Sequence, residues 1–195
     1  MSKYVVEGSL ETIAQCIADN KVFLKICKPR STKLGDYRSP QFNGRHTITV
    51  NNDLNKNAFT VTLLHELAHL ICYNLYKNKV RPHGAEWKNC FINLASPLLQ
   101  NNVFQKEVEA ALKKYFKNPG ASSCADPELY KILQMQDGET AIFVEMLPLH
   151  SVFELDNGRI FKKGEKRRTR YYCVCQHTNK AYLVSGVAKV KKTVA

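Results

Sequence analysis

Thr62-Leu63-Leu64-His65-Glu66-Leu67-Ala68-His69-Leu70-Ile71 is the stretch whose reading decides the fold. With Phe59 and Val61 before it, it carries enough apolar surface to predict a buried helix. Residues four apart on a helix lie one above the other on the same face. His65 and His69 can therefore point their imidazoles at a single ion, with Glu66 angled beside it. Two imidazole ligands and a carboxylate that takes a proton from metal-bound water are the parts of a zinc hydrolase. The bland alternative is a helix carrying two histidines and an acid by chance. It would leave Glu66 buried without a cation or a reacting water, at a large desolvation cost.

Two histidines hold zinc poorly, so a third ligand is needed. The metzincin pattern asks for Gly and His in the next turns, where this chain has Cys72 and Leu75. The thermolysin-like pattern asks for a Glu from a following helix, and the first acid after His69 is Glu86. His83 is the remaining candidate, at the mouth of the next apolar stretch, Trp87 to Leu94, once the 78–82 loop reverses the chain. Cys72 and Cys90 are chemically able to bind zinc but read as buried small apolar residues.

His65-Glu66-Leu67-Ala68-His69, a loop, then His83-Gly84-Ala85-Glu86-Trp87-Lys88 resembles the SprT-like metalloproteases, a group that includes bacterial SprT proteins and the DNA–protein crosslink protease Spartan. Lys33-Leu34-Gly35-Asp36-Tyr37 and the 46–52 strand also look like that family's approach to its active helix. The resemblance covers about residues 5 to 118 and continues more loosely beyond. It implies that His83, rather than Glu86, is the third zinc ligand. It also implies a zinc-dependent protease acting on DNA-bound proteins; spacing alone indicates only a zinc hydrolase.

At 195 residues the chain suits one domain with an appendage, or two small ones. A net charge of +12 favours polyanionic partners such as nucleic acid. Seven scattered cysteines suggest a reducing cytoplasm rather than a secretory framework. No long apolar run follows the start, so neither a signal peptide nor a membrane span is expected.

Leu10, Ile13, Ala14, Ile17 and Ala18 predict a packing helix after Ser9, a plausible N-cap. Lys25 to Tyr37 reads as a polar, basic loop whose Lys25, Lys28, Arg30 and Lys33, with Arg38, either line a phosphate-binding edge or are simply solvated. His46-Thr47-Ile48-Thr49-Val50-Asn51 alternates and is β-branched, predicting a strand that can pair with an extended substrate. His46 is left out of the metal site. Further helices are expected at about 58–76, 85–94 (ended or restarted at Pro97) and 104–116. Trp87 reads as core ahead of a base-stacking platform. Asn118-Pro119-Gly120-Ala121-Ser122-Ser123 marks a boundary, giving a metalloprotease domain at 1–118 and a basic β-rich module at 119–195.

In that module short strands are predicted at 140–146, 151–155, 159–162, 169–175 and 181–190, with Asp156-Asn157-Gly158 as a hairpin turn. Between Arg159 and Lys192 stand eleven Lys or Arg against one acid, Glu165. Lys162, Lys163, Lys166, Arg167, Arg168, Arg170 and Tyr171 are the candidate nucleic-acid contacts, cations beside an aromatic ring. Many SprT-like proteins carry a zinc ribbon here; this chain has Cys173 and Cys175 but no second pair, so a degenerate ribbon that folds without metal is expected.

The expected fold is thus α+β, a zincin-like domain followed by a small antiparallel β module. The expected function is a Zn²⁺-dependent endopeptidase with His65, His69 and His83 as ligands and Glu66 as general base on a zinc-bound water, cleaving DNA-bound or DNA-crosslinked proteins. Tyr37 or Tyr73 are candidate second oxyanion donors. The rivals are a nucleic-acid-binding regulator with a structural or vestigial metal site, and a general cytosolic peptidase with no DNA role.

Overall fold

A computed structural model describes residues 1–30, 33–117, 119–120, 126–135 and 141–194. The chain is α+β and falls into two compact units, Met1–Asp137 and Gly138–Ala195. No helix among the described residues is long and apolar enough to cross a membrane.

The first unit contains α1 (Leu10–Asp19), β1 (Phe23–Cys27), β2 (Gly35–Arg38), the short α2 (Pro40–Asn43), β3 (Thr47–Asn51), α3 (Lys56–Tyr76), α4 (Ala85–Gln100), α5 (Lys106–Tyr115) and α6 (Pro127–Met135). Its sheet has the order β1-β3-β2, with β1 parallel and β2 antiparallel to β3. β3 is therefore the central strand, with both hydrogen-bonding edges occupied. The expectation that it pairs with a substrate is corrected: among the described residues the edge strand packed against α3 is β2. Two of the three strands fall largely in the segment expected to be a basic loop. β1 could have been read from Leu24 and Ile26 alternating with Lys25, the first two half-buried and the lysine exposed.

α3 is the axis of this unit, packed against α4, β2, β3, α1 and α6. Phe59, Leu63, Leu64, Leu67, Ala68 and Leu70 are all buried, so the helix is enclosed on nearly every side. Asn55 caps it, its Oδ1 accepting from Ala58 N at 2.9 Å. The expected cap of α1 is absent: the Ser9 hydroxyl donates to the Val6 carbonyl at 2.6 Å instead. Pro97 does not end α4, which runs on to Gln100 because Ala95 and Leu98 are drawn into the core.

The expected boundary lies partly outside the described residues, and α6 beyond it belongs to the first unit. Leu129 and Leu133 are buried in the same core as α3, and Asn55 Nδ2 donates to the Leu133 carbonyl. The sequence reading missed this helix. Its signal was there: Asp126 precedes Pro127-Glu128, its Oδ1 accepts from Leu129 N at 2.8 Å, and Leu129 and Leu133 are four apart.

The second unit is an antiparallel sheet of β4 (Val152–Leu155), β5 (Ile160–Arg167), β6 (Arg170–Cys175), β7 (Ala181–Ser185) and β8 (Val190–Val194), in the order β7-β6-β5-β4-β8. Gly158 at φ 76° makes the expected hairpin turn. Of the strand expected at 140–146, Thr140 lies outside the described residues and Val144–Met146 forms a 3₁₀ turn. The strand expected at 181–190 breaks in two because Gly186 and Ala188 turn their carbonyls to Glu145 N and Val144 N. Phe153, Phe161, Cys173, Cys175 and Val184 form the core. Cys173 and Cys175, on which the ribbon-like expectation rested, are thus buried core side chains, and the only metal-ligating cluster among the described residues lies in the first unit.

Candidate metal centre

α3 carries His65 and His69 on one face, four residues apart. The helix ends at Lys77 (φ 55°), and the turn closed by Gly84 N donating to Arg81 O brings the chain back. His83 sits at that return with φ 56°, a left-handed conformation that costs a non-glycine residue energy and clusters at functional sites. Gly84 follows where a Cβ would stand 3.0 Å from the Arg81 carbonyl, so the tight return favours glycine.

The three imidazoles converge. His65 Nε2 is 3.2 Å from His69 Nε2 and 3.3 Å from His83 Nε2, and the three ligand atoms all lie within 4.8 Å of one another. Nitrogens bound tetrahedrally to zinc at about 2.0–2.1 Å stand roughly 3.3 Å apart, so the donor set fits this ion. Burial and mutual repulsion push the His65 imidazole down to about 3, and burial with His83 nearby pushes His69 down to about 4. Both are neutral near pH 7, with lone pairs free for a cation. Trp87 of α4 floors the triad, its ring centroid 4.6 Å from His65, 5.1 Å from His69 and 4.6 Å from His83. It is 1% exposed, which rules out the base-stacking alternative.

Glu66 is buried between α3 and β2. Burial, then Asp36, raises its carboxyl to about 8, against the weaker pull of Arg30, the Tyr37 backbone N–H and Lys33. The Tyr37 N–H bonds to the carboxylate from β2. A Cβ on Gly35 would stand 2.5 Å from Glu66 Oε1 and 2.8 Å from both Glu66 Cγ and Thr62 Cγ2. Gly35 is therefore what lets the strand lie against the carboxylate. Gly35, expected from the sequence to mark a turn, instead opens β2; a glycine opening a short strand was the available signal.

Tyr37 and Tyr73 both stand beside the triad. The Tyr37 ring stacks on His69 at 6.4 Å and its hydroxyl meets His46 Nδ1 at 2.9 Å. Tyr73 packs 6.3 Å from Tyr37 and 5.9 Å from His46. His46 is not among the clustered ligand residues. The supposed phosphate edge at 25–38 is largely occupied within the protein. Arg30 donates to Asn51 Oδ1 at 2.8 Å and Thr49 Oγ1 at 2.9 Å, while Lys33 and Arg38 both pair with Asp36.

In the second unit Lys162, Lys166, Arg167, Arg168 and Arg170 are exposed. Lys163 and Tyr171, expected beside them, face inward. Lys163 is 4% exposed, donates to the Glu145 and Leu147 carbonyls and lies 4.2 Å over the Tyr171 ring, which packs on the core. The inward turn follows from strand alternation, since Lys163 pairs with buried Cys173. Of the two adjacent aromatics in that stretch, Tyr172 and not Tyr171 is the exposed ring, at 46%.

Three converging imidazoles, two of them on the helix that carries a buried carboxyl, are the apparatus of a metallopeptidase-type domain. The SprT-like family matches residues 9–110, just over half of the chain, and the chain belongs to that family. No curated protein and no solved structure matches it.

Proposed function

We propose that this protein is a zinc-dependent endopeptidase with a zincin-like first unit, acting on proteins bound or crosslinked to DNA. The observation that carries the enzymatic part is the convergence of the His65, His69 and His83 Nε2 atoms beside buried Glu66. Those three nitrogens would hold the zinc, which when bound would supply Lewis-acid polarisation of a carbonyl and acidify a water. Glu66 takes the proton from the attacking water and returns it to the leaving amine, and its buried site suits a carboxyl that works in both forms near neutral pH. The Tyr37 backbone N–H and the Gly35 clearance hold the carboxylate in place. The outward main-chain groups of β2 that Glu66 does not take align an extended peptide by hydrogen bonds. Tyr37 and Tyr73 border the cavity beside His69 and are the candidate hydroxyl donors to the developing oxyanion; of the two, the Tyr37 hydroxyl already engages His46.

The DNA part rests on charge. The surplus of +12 includes the exposed run Lys166, Arg167, Arg168 and Arg170, with Lys162 and the exposed Tyr172 on the same sheet. Binding through this surface concentrates the enzyme on DNA-bound proteins. All six described cysteines are unpaired, in keeping with a reducing cytoplasm.

The test is cleavage of a DNA-binding protein by zinc-loaded enzyme, with and without DNA, beside Glu66→Gln. Cleavage that needs DNA and is lost in the variant is the expected result. DNA-independent cleavage makes the protein a general peptidase. Zinc and DNA binding without any cleavage makes it a nucleic-acid-binding protein with a structural metal.

A further inference from the structure

Next to the metal centre lies a cavity of about 330 Å³ bordered by Tyr37, His69, Tyr73, Lys77, Arg81 and Trp87, with Cys72, Val80 and Pro82 also in its wall. His69 belongs both to the triad and to the cavity wall, so a substrate held with its scissile bond at the centre has a neighbouring side chain within reach. Whole small-molecule sites occupy about 300–1,000 Å³. This volume therefore suits one large side chain and not a folded segment.

The wall has a definite chemistry. Tyr37 and Tyr73 present aromatic surface above the buried Trp87 at its floor, and Val80, Pro82 and Cys72 add apolar atoms. Among the described residues Lys77 and Arg81 are its only charged ones, Ser39 and Asn78 are neutral and polar, and no Asp or Glu lines it. Lys77 Nζ rests 5.1 Å over the Tyr73 ring, so its charge is held at the cavity. A lysine or arginine side chain entering here would lose water and meet two like charges with no acid to pair with. An aromatic or long aliphatic side chain would exchange water for ring faces.

Resting on the peptidase reading, we infer that this cavity is a specificity pocket that takes one aromatic or large apolar substrate side chain beside the scissile bond and rejects basic ones. Lys77 and Arg81 are the residues that exclude cations, and Val80 and Trp87 set the depth. A DNA-associated protein is then cut where an apolar or aromatic residue flanks the scissile bond on the cavity side.

Two measurements test this. Trp87 is the sole tryptophan of the chain and borders the cavity, so occupancy changes its fluorescence without any turnover. Titration of Glu66→Gln protein with two peptides differing only in one Phe or Lys should give roughly tenfold or greater preference for the Phe peptide. Equal binding, or tighter binding of the Lys peptide, overturns the inference. In the active enzyme, sequencing the products from a degenerate peptide pool should show Phe, Tyr, Leu and Met enriched, and Lys and Arg depleted, at one position flanking the cut. Val80→Phe should move that position toward small residues, and Lys77→Glu with Arg81→Glu should reverse its bias against cations. A flat profile, or one these variants leave unchanged, overturns the pocket while the peptidase reading stands. Failure to cut any peptide with zinc bound, while the Phe preference persists in the fluorescence titration, overturns the peptidase reading and leaves a side-chain-selective peptide-binding cavity.

Discussion

Gly35→Ala tests how Glu66, the proposed general base, is held. The new Cβ would stand 2.5 Å from Glu66 Oε1 and 2.8 Å from Glu66 Cγ and Thr62 Cγ2. Non-bonded heavy atoms settle at roughly 3.5 Å, so the carboxylate must move by about 1 Å or β2 must lift by as much. Displacement of a catalytic group by about 1 Å costs on the order of 100-fold in rate, or about 2.7 kcal/mol of transition-state stabilisation. Overpacking at a buried contact costs about 1–3 kcal/mol of stability. The histidines do not touch Gly35, so zinc content should stay at the wild-type level. The assay combines kcat/KM on a peptide substrate, zinc stoichiometry and a urea unfolding midpoint. Adding Glu66→Asp, which shortens the side chain, should recover part of the lost stability through coupling between the two sites, without recovering rate. Wild-type cleavage by Gly35→Ala would refute the reasoning, and so would a loss of rate explained wholly by lost zinc.

Metal-free protein should show a stability maximum near pH 6.5. His65 and His69 have folded values of about 3 and 4 against an ordinary 6.5, so the unfolded chain alone gains protons as pH falls below 6.5 and stability is lost on that side. Glu66, raised to about 8 from 4.5, stays protonated only in the folded chain and removes stability as pH rises through that window. Between 4.5 and 6.5 two histidines outweigh one carboxyl; above 6.5 the carboxyl acts alone. Glu66→Gln should abolish the alkaline limb in urea titrations taken across pH and leave the acid limb. His83→Asn keeps a residue that tolerates the left-handed backbone and removes the ligand. It should lower zinc affinity and erase the rise in melting temperature on adding zinc, measured by calorimetry. Arg30→Ala leaves Asn51 Oδ1 and Thr49 Oγ1 without their donor, costing about 1–3 kcal/mol of stability with DNA affinity unchanged. Arg168→Ala should do the reverse, reducing the salt slope of DNA binding in fluorescence anisotropy by about 1 if it contacts a phosphate.

His65, Glu66 and His69 were legible from spacing alone because a single helix carries all three, and helix geometry is local. The same holds for the Asp156–Gly158 hairpin, whose turn chemistry lies in three adjacent residues. α6 was equally local, with its cap and its leucines four apart, yet it was hidden beyond a segment that reads as a linker. What the sequence determined by itself is therefore the helical metal motif, the surplus of positive charge and the α+β character. Only the tertiary structure decided that β3 is central and β2 at the edge, because strand order depends on contacts between distant residues and leaves no local mark. It also turned Lys163 and Tyr171 inward, since the face a strand residue takes depends on what its partner strand buries. Long-range packing brought His83 to within 3.3 Å of His65, and set Gly35 against Glu66 from a different strand.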